Sequence, residues 1–74
     1  MRKNPYGYMR ASELIAIIDD TIFNKESDKE IAINVYVRAM TVEKCAELVG
    51  YEWKTVQKRL PIIEERLNST LNRH

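Results

Sequence analysis

Apolar residues along this chain recur at intervals of three and four, the spacing of one helical face rather than the alternation of a strand. Leu14, Ile15, Ile17, Ile18, Ile22 and Phe23 form the first group, with Glu13, Asp19 and Asp20 on the polar side. They predict a helix over about 13–23, with Ser12 as the N-cap whose hydroxyl accepts a first-turn amide. A short polar break follows at 24–27. Ser27-Asp28-Lys29-Glu30 then matches a capping box, serine at N-cap and glutamate at N3. The helix it opens runs to Ala39 or Met40 along two lines, Ile31, Val35, Ala39 and Ala32, Tyr36, Met40. Ile33 and Val37 add β-branched residues, so 31–37 also admits a strand; length, capping box and alanines favour the helix.

The stretch 41–60 organises the rest. Val42, Cys45, Ala46 and Val49 share one face, Gly50 punctuates, and Trp53, Val56 and Leu60 form a second stripe. Thr41 is placed to N-cap the first of these helices, with Glu43 near its positive end. Gly50 supplies the left-handed residue that ends it, a conformation glycine adopts without a Cβ penalty. Cys45, Val49, Tyr51, Val56 and Leu60 are expected to fill the wedge between the two helices, with small Ala46 where they cross. The second helix starts near Glu52 or Trp53. Pro61 either kinks it or divides it in two, since proline removes one hydrogen bond and clashes with the preceding turn. Beyond it Ile63, Leu67 and Leu71 continue the line of Val56 and Leu60. The polar tail 68–74 is expected to fray. The expectation is an all-α domain of four to five helices over 11–74, with a helix-turn-helix at 41–60 and a flexible basic arm at 1–10.

Composition narrows the class. Seventy-four residues allow one small core, and no stretch reaches the roughly 20 apolar residues of a membrane span. The N-terminus lacks the apolar core of a signal peptide. A single cysteine gives neither an internal disulfide nor a metal set. These features point to the cytoplasm, with no membrane partner, no metal and no cofactor. The net charge of +1 is uninformative, but its distribution is not. Arg2, Lys3 and Arg10 make the first ten residues basic. Glu13, Asp19, Asp20, Glu26, Asp28 and Glu30 outweigh Lys25 and Lys29 up to residue 37. Lys54, Lys58 and Arg59 then group on the helix after Gly50.

Two short amphipathic helices about a glycine turn are the pattern of a helix-turn-helix, whose second helix enters a DNA major groove. Gln57 can bond adenine bidentately, and Lys54 and Lys58 can reach guanine or phosphate. Thr55, Arg59 and Thr41 suit phosphate contacts that fix register. Trp53 suits either a thymine methyl and the sugar backbone or a packing role. The bland alternative is a solvated charged face. The arm has two readings as well: a tail whose Tyr6 and Tyr8 pack on the body, or a basic extension reaching DNA.

The same residues resemble region 4 of bacterial sigma factors and the related helix-turn-helix of small phage-type regulators. The matching pattern is Thr41-Val42-Glu43, Ala46, Gly50, Thr55-Val56 and Arg59-Leu60, preceded by Tyr36-Val37-Arg38-Ala39-Met40. The resemblance covers about residues 28–67 and implies two partners, double-stranded DNA and RNA polymerase. Glu52 departs from the short capping residue of that family, Pro61 from its continuous recognition helix, and no other sigma region is present.

Catalysis has no candidate residues, so the chain is expected not to be an enzyme. His74 is the only histidine and closes the sequence, and Cys45 lies on an inner face without a histidine. Within Asp19-Asp20 and within Glu64-Glu65 the side chains point to different helical faces, unlike an acid–base pair. The leading expectation is a DNA-binding transcriptional regulator. The alternatives are a protein-interaction module of the same fold, or a DNA-packaging or recombination accessory subunit. So small a unit makes few phosphate contacts, which implies a homodimer reading two half-sites. The stripe Val56, Leu60, Ile63, Leu67 and Leu71, with the first helix, is either that dimer surface or an intrachain core.

Overall fold

The hydrophobic stripes close on one another as four helices. The computed structural model describes residues 4–74, with α1 at Ala11–Asp20, α2 at Glu26–Ala32, α3 at Val42–Val49 and α4 at Trp53–Arg73. A π-helical turn, Ile33–Val37, continues α2 directly. Among the described residues there is no strand, so the chain is a small all-α domain, and 31–37 is helical. The 21 residues of α4 span about 31 Å at 1.5 Å per residue, close to the longest extent of the molecule, 33 Å. The other helices pack along it.

Val56, Leu60, Ile63 and Leu67 of α4 are fully buried against Leu14, Ile17 and Ile18 of α1, Ile31 and Ala32 of α2 and Cys45 and Ala46 of α3. The α4 stripe is therefore an intrachain core and not a free dimer surface. Burial pushes the Cys45 thiol pKa up, leaving the residue a small hydrophobe.

The ends of the helices depart from expectation in several places. The first helix starts at Ala11, with Arg10 at N-cap, and Ser12 lies inside it. The Arg10 amide donates to Glu13 Oε1 at 3.0 Å. It stops at Asp20 rather than 23, where Thr21 turns extended. The Thr21 hydroxyl lies 2.7 Å from the Ile17 carbonyl and 2.7 Å from the Thr70 hydroxyl. Ser27 is not an N-cap either: α2 starts at Glu26 after Lys25. The serine hydroxyl instead accepts from Tyr51. The π turn and the left-handed Ala39, at φ 55°, end the second helix before Ala39.

Three of the predicted local devices hold. Thr41 caps α3, its Oγ1 accepting the Lys44 amide at 3.1 Å. Gly50 takes φ 78° and ψ 25°, and the Gly50 and Tyr51 amides both reach the Ala46 carbonyl, the closure of a left-handed helix stop. The last helix starts at Trp53 behind Glu52, which makes no side-chain cap bond.

Pro61 lies inside a continuous α4. Pro61 and Gln57, whose carbonyl an amide at 61 would have met, are both exposed residues, so the missing hydrogen bond falls on the outer side of the helix. The tail is helical as far as Arg73. Thr70 is buried, and His74 Nε2 lies 2.8 Å from Asp20 Oδ2.

From Asn4 onward the N-terminal segment is docked; Arg2 and Lys3 lie outside the described residues. The Asn4 side-chain amide donates to the Tyr36 carbonyl at 3.0 Å. Tyr6 is buried edge-on to Tyr36, centroids 5.2 Å apart. Its hydroxyl donates to Asn68 Oδ1 at 2.9 Å and reaches the Glu64 carbonyl at 3.3 Å. Burial, then the Glu64 carboxylate and Tyr8, push its pKa from 10.0 to about 12. Tyr8 does not pack; it is 77% exposed.

Candidate nucleic-acid interface

The candidate face is built by α3, the turn of residues 50–52 and the first two turns of α4. Burying Val56 and Leu60 inward fixes what α4 turns outward, because residues three and four apart share a face. Lys54, Gln57 and Lys58 stand on that outward stripe and are exposed, as are Trp53 and Thr55. Lys54 Nζ lies 5.7 Å from the centre of the Trp53 ring, within cation–π range. The indole, 46% exposed, is thus a platform on the surface and not part of the core. Five of the seven residues singled out from the sequence are thus exposed on the first two turns of α4, with Lys54, Gln57 and Lys58 sharing one stripe.

The other two have different partners. The Arg59 guanidinium points inward to α2, with Nε 3.0 Å from Asp28 Oδ1 and Nη2 on Asp28 Oδ2. The Asp28 side chain is 1% exposed and that of Arg59 17%. Arg59 is the positive half of an internal ion pair, and its hydrogen bonds to Asp28 raise its pKa. Thr41 is exposed but its hydroxyl is engaged as the α3 cap. Tyr51 was expected in the wedge. The chain leaving the left-handed Gly50 carries it toward α2 instead, where its hydroxyl donates to Ser27 Oγ at 2.9 Å, and it is 37% exposed. Asp28 and Ser27 were legible only as parts of a capping box; no local pattern announces a partner 31 or 24 residues away.

An open groove of about 460 Å³ runs between the start of α3 and the start of α4, lined by Thr41, Glu43, Lys44, Glu47, Tyr51 and Trp53 among others. Lys44 Nζ is 3.9 Å from Glu47. Across the whole face Glu43, Glu47 and Glu52 oppose Lys44, Lys54 and Lys58, so its charges cancel while its polar and aromatic groups remain.

No protein-family model matches this chain, and no curated protein or solved structure does. Among the described residues no helix is long and apolar enough to cross a membrane.

Proposed function

We propose that the chain binds duplex DNA as a transcriptional regulator. In this reading α3 and α4 act as a helix-turn-helix and the first two turns of α4 lie in the major groove. The observation that carries the reading is the outward stripe Lys54, Gln57, Lys58 beside Trp53 and Thr55, on a helix whose opposite side is fully buried. Gln57 bonds an adenine edge, the two lysines reach guanine or phosphate, Thr55 meets a phosphate, and Trp53 lies against a sugar or a thymine methyl. The likeness to sigma region 4 belongs to the same proposal, with RNA polymerase as the protein such a regulator would meet.

Selection of bound sequences from a random duplex pool tests this. Enrichment of a short motif is expected. Gln57→Ala should relax preference at one position, and Lys58→Ala should weaken binding to every duplex and reduce the salt slope by about one. A chain that retains no duplex at low salt is not a DNA-binding protein. The second reading is a protein-interaction module using the same face, favoured by the cancelling carboxylates Glu43, Glu47 and Glu52. It expects a protein partner to bind equally well after Lys54→Ala and Lys58→Ala.

A further inference from the structure

Two contacts fasten the start of α2 to the segment that carries the outward stripe: Asp28 to Arg59 and Ser27 to Tyr51. Neither is explained by the core, and Arg59 directly follows Lys58. The buried stripe Val56, Leu60, Ile63 and Leu67 fixes which side of α4 faces inward, because close-packed side chains interdigitate. No side chain of its first turn, Trp53–Thr55, is buried, so apolar packing leaves that end the freest to turn. A guanidinium held at two points is different, because its donors form a rigid planar fork. A roll of about 20° moves groups at the 5–6 Å radius of a helix surface by roughly 2 Å, enough to break a base hydrogen bond. A buried ion pair is weak evidence for stability, since apolar residues of similar volume can do as well; its best-attested use is fixing one arrangement among several.

We propose that Asp28 and Arg59 are positioning residues that set the roll of the first two turns of α4, ahead of the hydrogen bond missing at Pro61, and so decide which side chains of Trp53–Lys58 front the partner. Asp28 does this from the interior, where it touches no partner. The consequence for sequence choice rests on the DNA reading; the setting of the roll does not.

The test uses Asp28→Asn and Arg59→Lys, which keep size or charge but spoil the two-point contact. Without DNA, the amide signals of residues 53–58 and the Trp53 indole are expected to shift or broaden in both variants, while those of Ile63 and Leu67 stay in place. With DNA, the preference for the selected duplex over random duplex should fall about tenfold in both, the scale of one bidentate base contact. The salt slope should be unchanged. Unmoved signals at 53–58 in both variants overturn the proposal whatever DNA does. So does the pattern of a direct phosphate contact: preference kept in Arg59→Lys, and Asp28→Asn tighter on all duplexes. If the wild-type chain selects no duplex, the DNA reading fails and the DNA-free signals alone decide the positioning role. Should both variants unfold, the double variant Asp28→Leu/Arg59→Met, apolar at both positions and so free of an unpaired buried charge, takes their place: moved signals at 53–58 support the positioning role and unmoved signals overturn it.

Discussion

Among the described residues two occupy the left-handed region, Gly50 at φ 78° and Ala39 at φ 55°, and they make opposite predictions. A Cβ added at Gly50 meets nothing within 4 Å, so Gly50→Ala introduces no clash and isolates the backbone term. Holding an L-residue left-handed costs about 1–2 kcal/mol. Replacing glycine also restricts the unfolded chain, which returns about 0.4–1 kcal/mol. The net expectation is a loss of about 0.5–1.5 kcal/mol for Gly50→Ala. Ala39 already carries that backbone cost, so Ala39→Gly should stabilise by a similar or smaller amount. At about 4–8 °C per kcal/mol for a domain of this size, the two melting temperatures should move apart by several degrees on either side of wild type. Urea titration gives the free energies and checks that the slope with denaturant is constant. Equal or greater stability in Gly50→Ala, or a loss in Ala39→Gly, refutes the reasoning. Either result would mean that the chain leaves these helices by a different route.

Removing the α3 cap by Thr41→Ala should cost about 1 kcal/mol, read as a lower urea midpoint. Tyr6 makes a prediction about alkaline pH. Its folded pKa of about 12 lies above the ordinary 10.0, so the unfolded chain releases the proton first. The resulting stability is whole below pH 10 and is lost as pH rises toward 12. Urea midpoints followed from pH 8 to 12 should fall less steeply in Tyr6→Phe than in wild type, and parallel curves would refute the assignment. At neutral pH the same variant should lose about 0.5–1.5 kcal/mol with its hydroxyl bonds.

What could be read from the sequence was what short range decides. Thr41 and Gly50 act on backbone groups within five residues of themselves, and both hold. The stripe of α4 was legible from spacing, although spacing alone left open whether a second copy or α1 would cover it. Boundaries set by distant partners were not legible. Thr21 meets Thr70 across 49 residues, and Tyr51 draws Ser27 out of its expected cap across 24. At the candidate face the outward lysines and Gln57 followed from periodicity. Arg59 did not, because a basic residue beside Lys58 reads as surface until a buried carboxylate is placed opposite it. The continuity of α4 was equally hidden, since Pro61 weakens a helix everywhere but costs less on a face open to water.

The cancelling charges of the candidate face separate the two functional readings more sharply than a binding assay at one salt concentration. Non-specific duplex binding scales with the phosphates neutralised, at about −0.9 in log K per log salt for each. Lys54 and Lys58 are the outward cations of the first two turns of α4, and Glu52 lies beside them, so a chain that meets duplex through this face alone should show a slope of only about −2. Binding to random DNA should accordingly be weak at physiological salt. A regulator on this scaffold must draw its affinity from base contacts by Gln57 and the lysines and from apolar contact by Trp53, giving a shallow slope with strong sequence preference. A steep slope without preference would place the cations elsewhere on the chain and remove α4 as the reading helix. Neither preference nor slope would leave the aromatic and carboxylate groups around Trp53 to a protein partner.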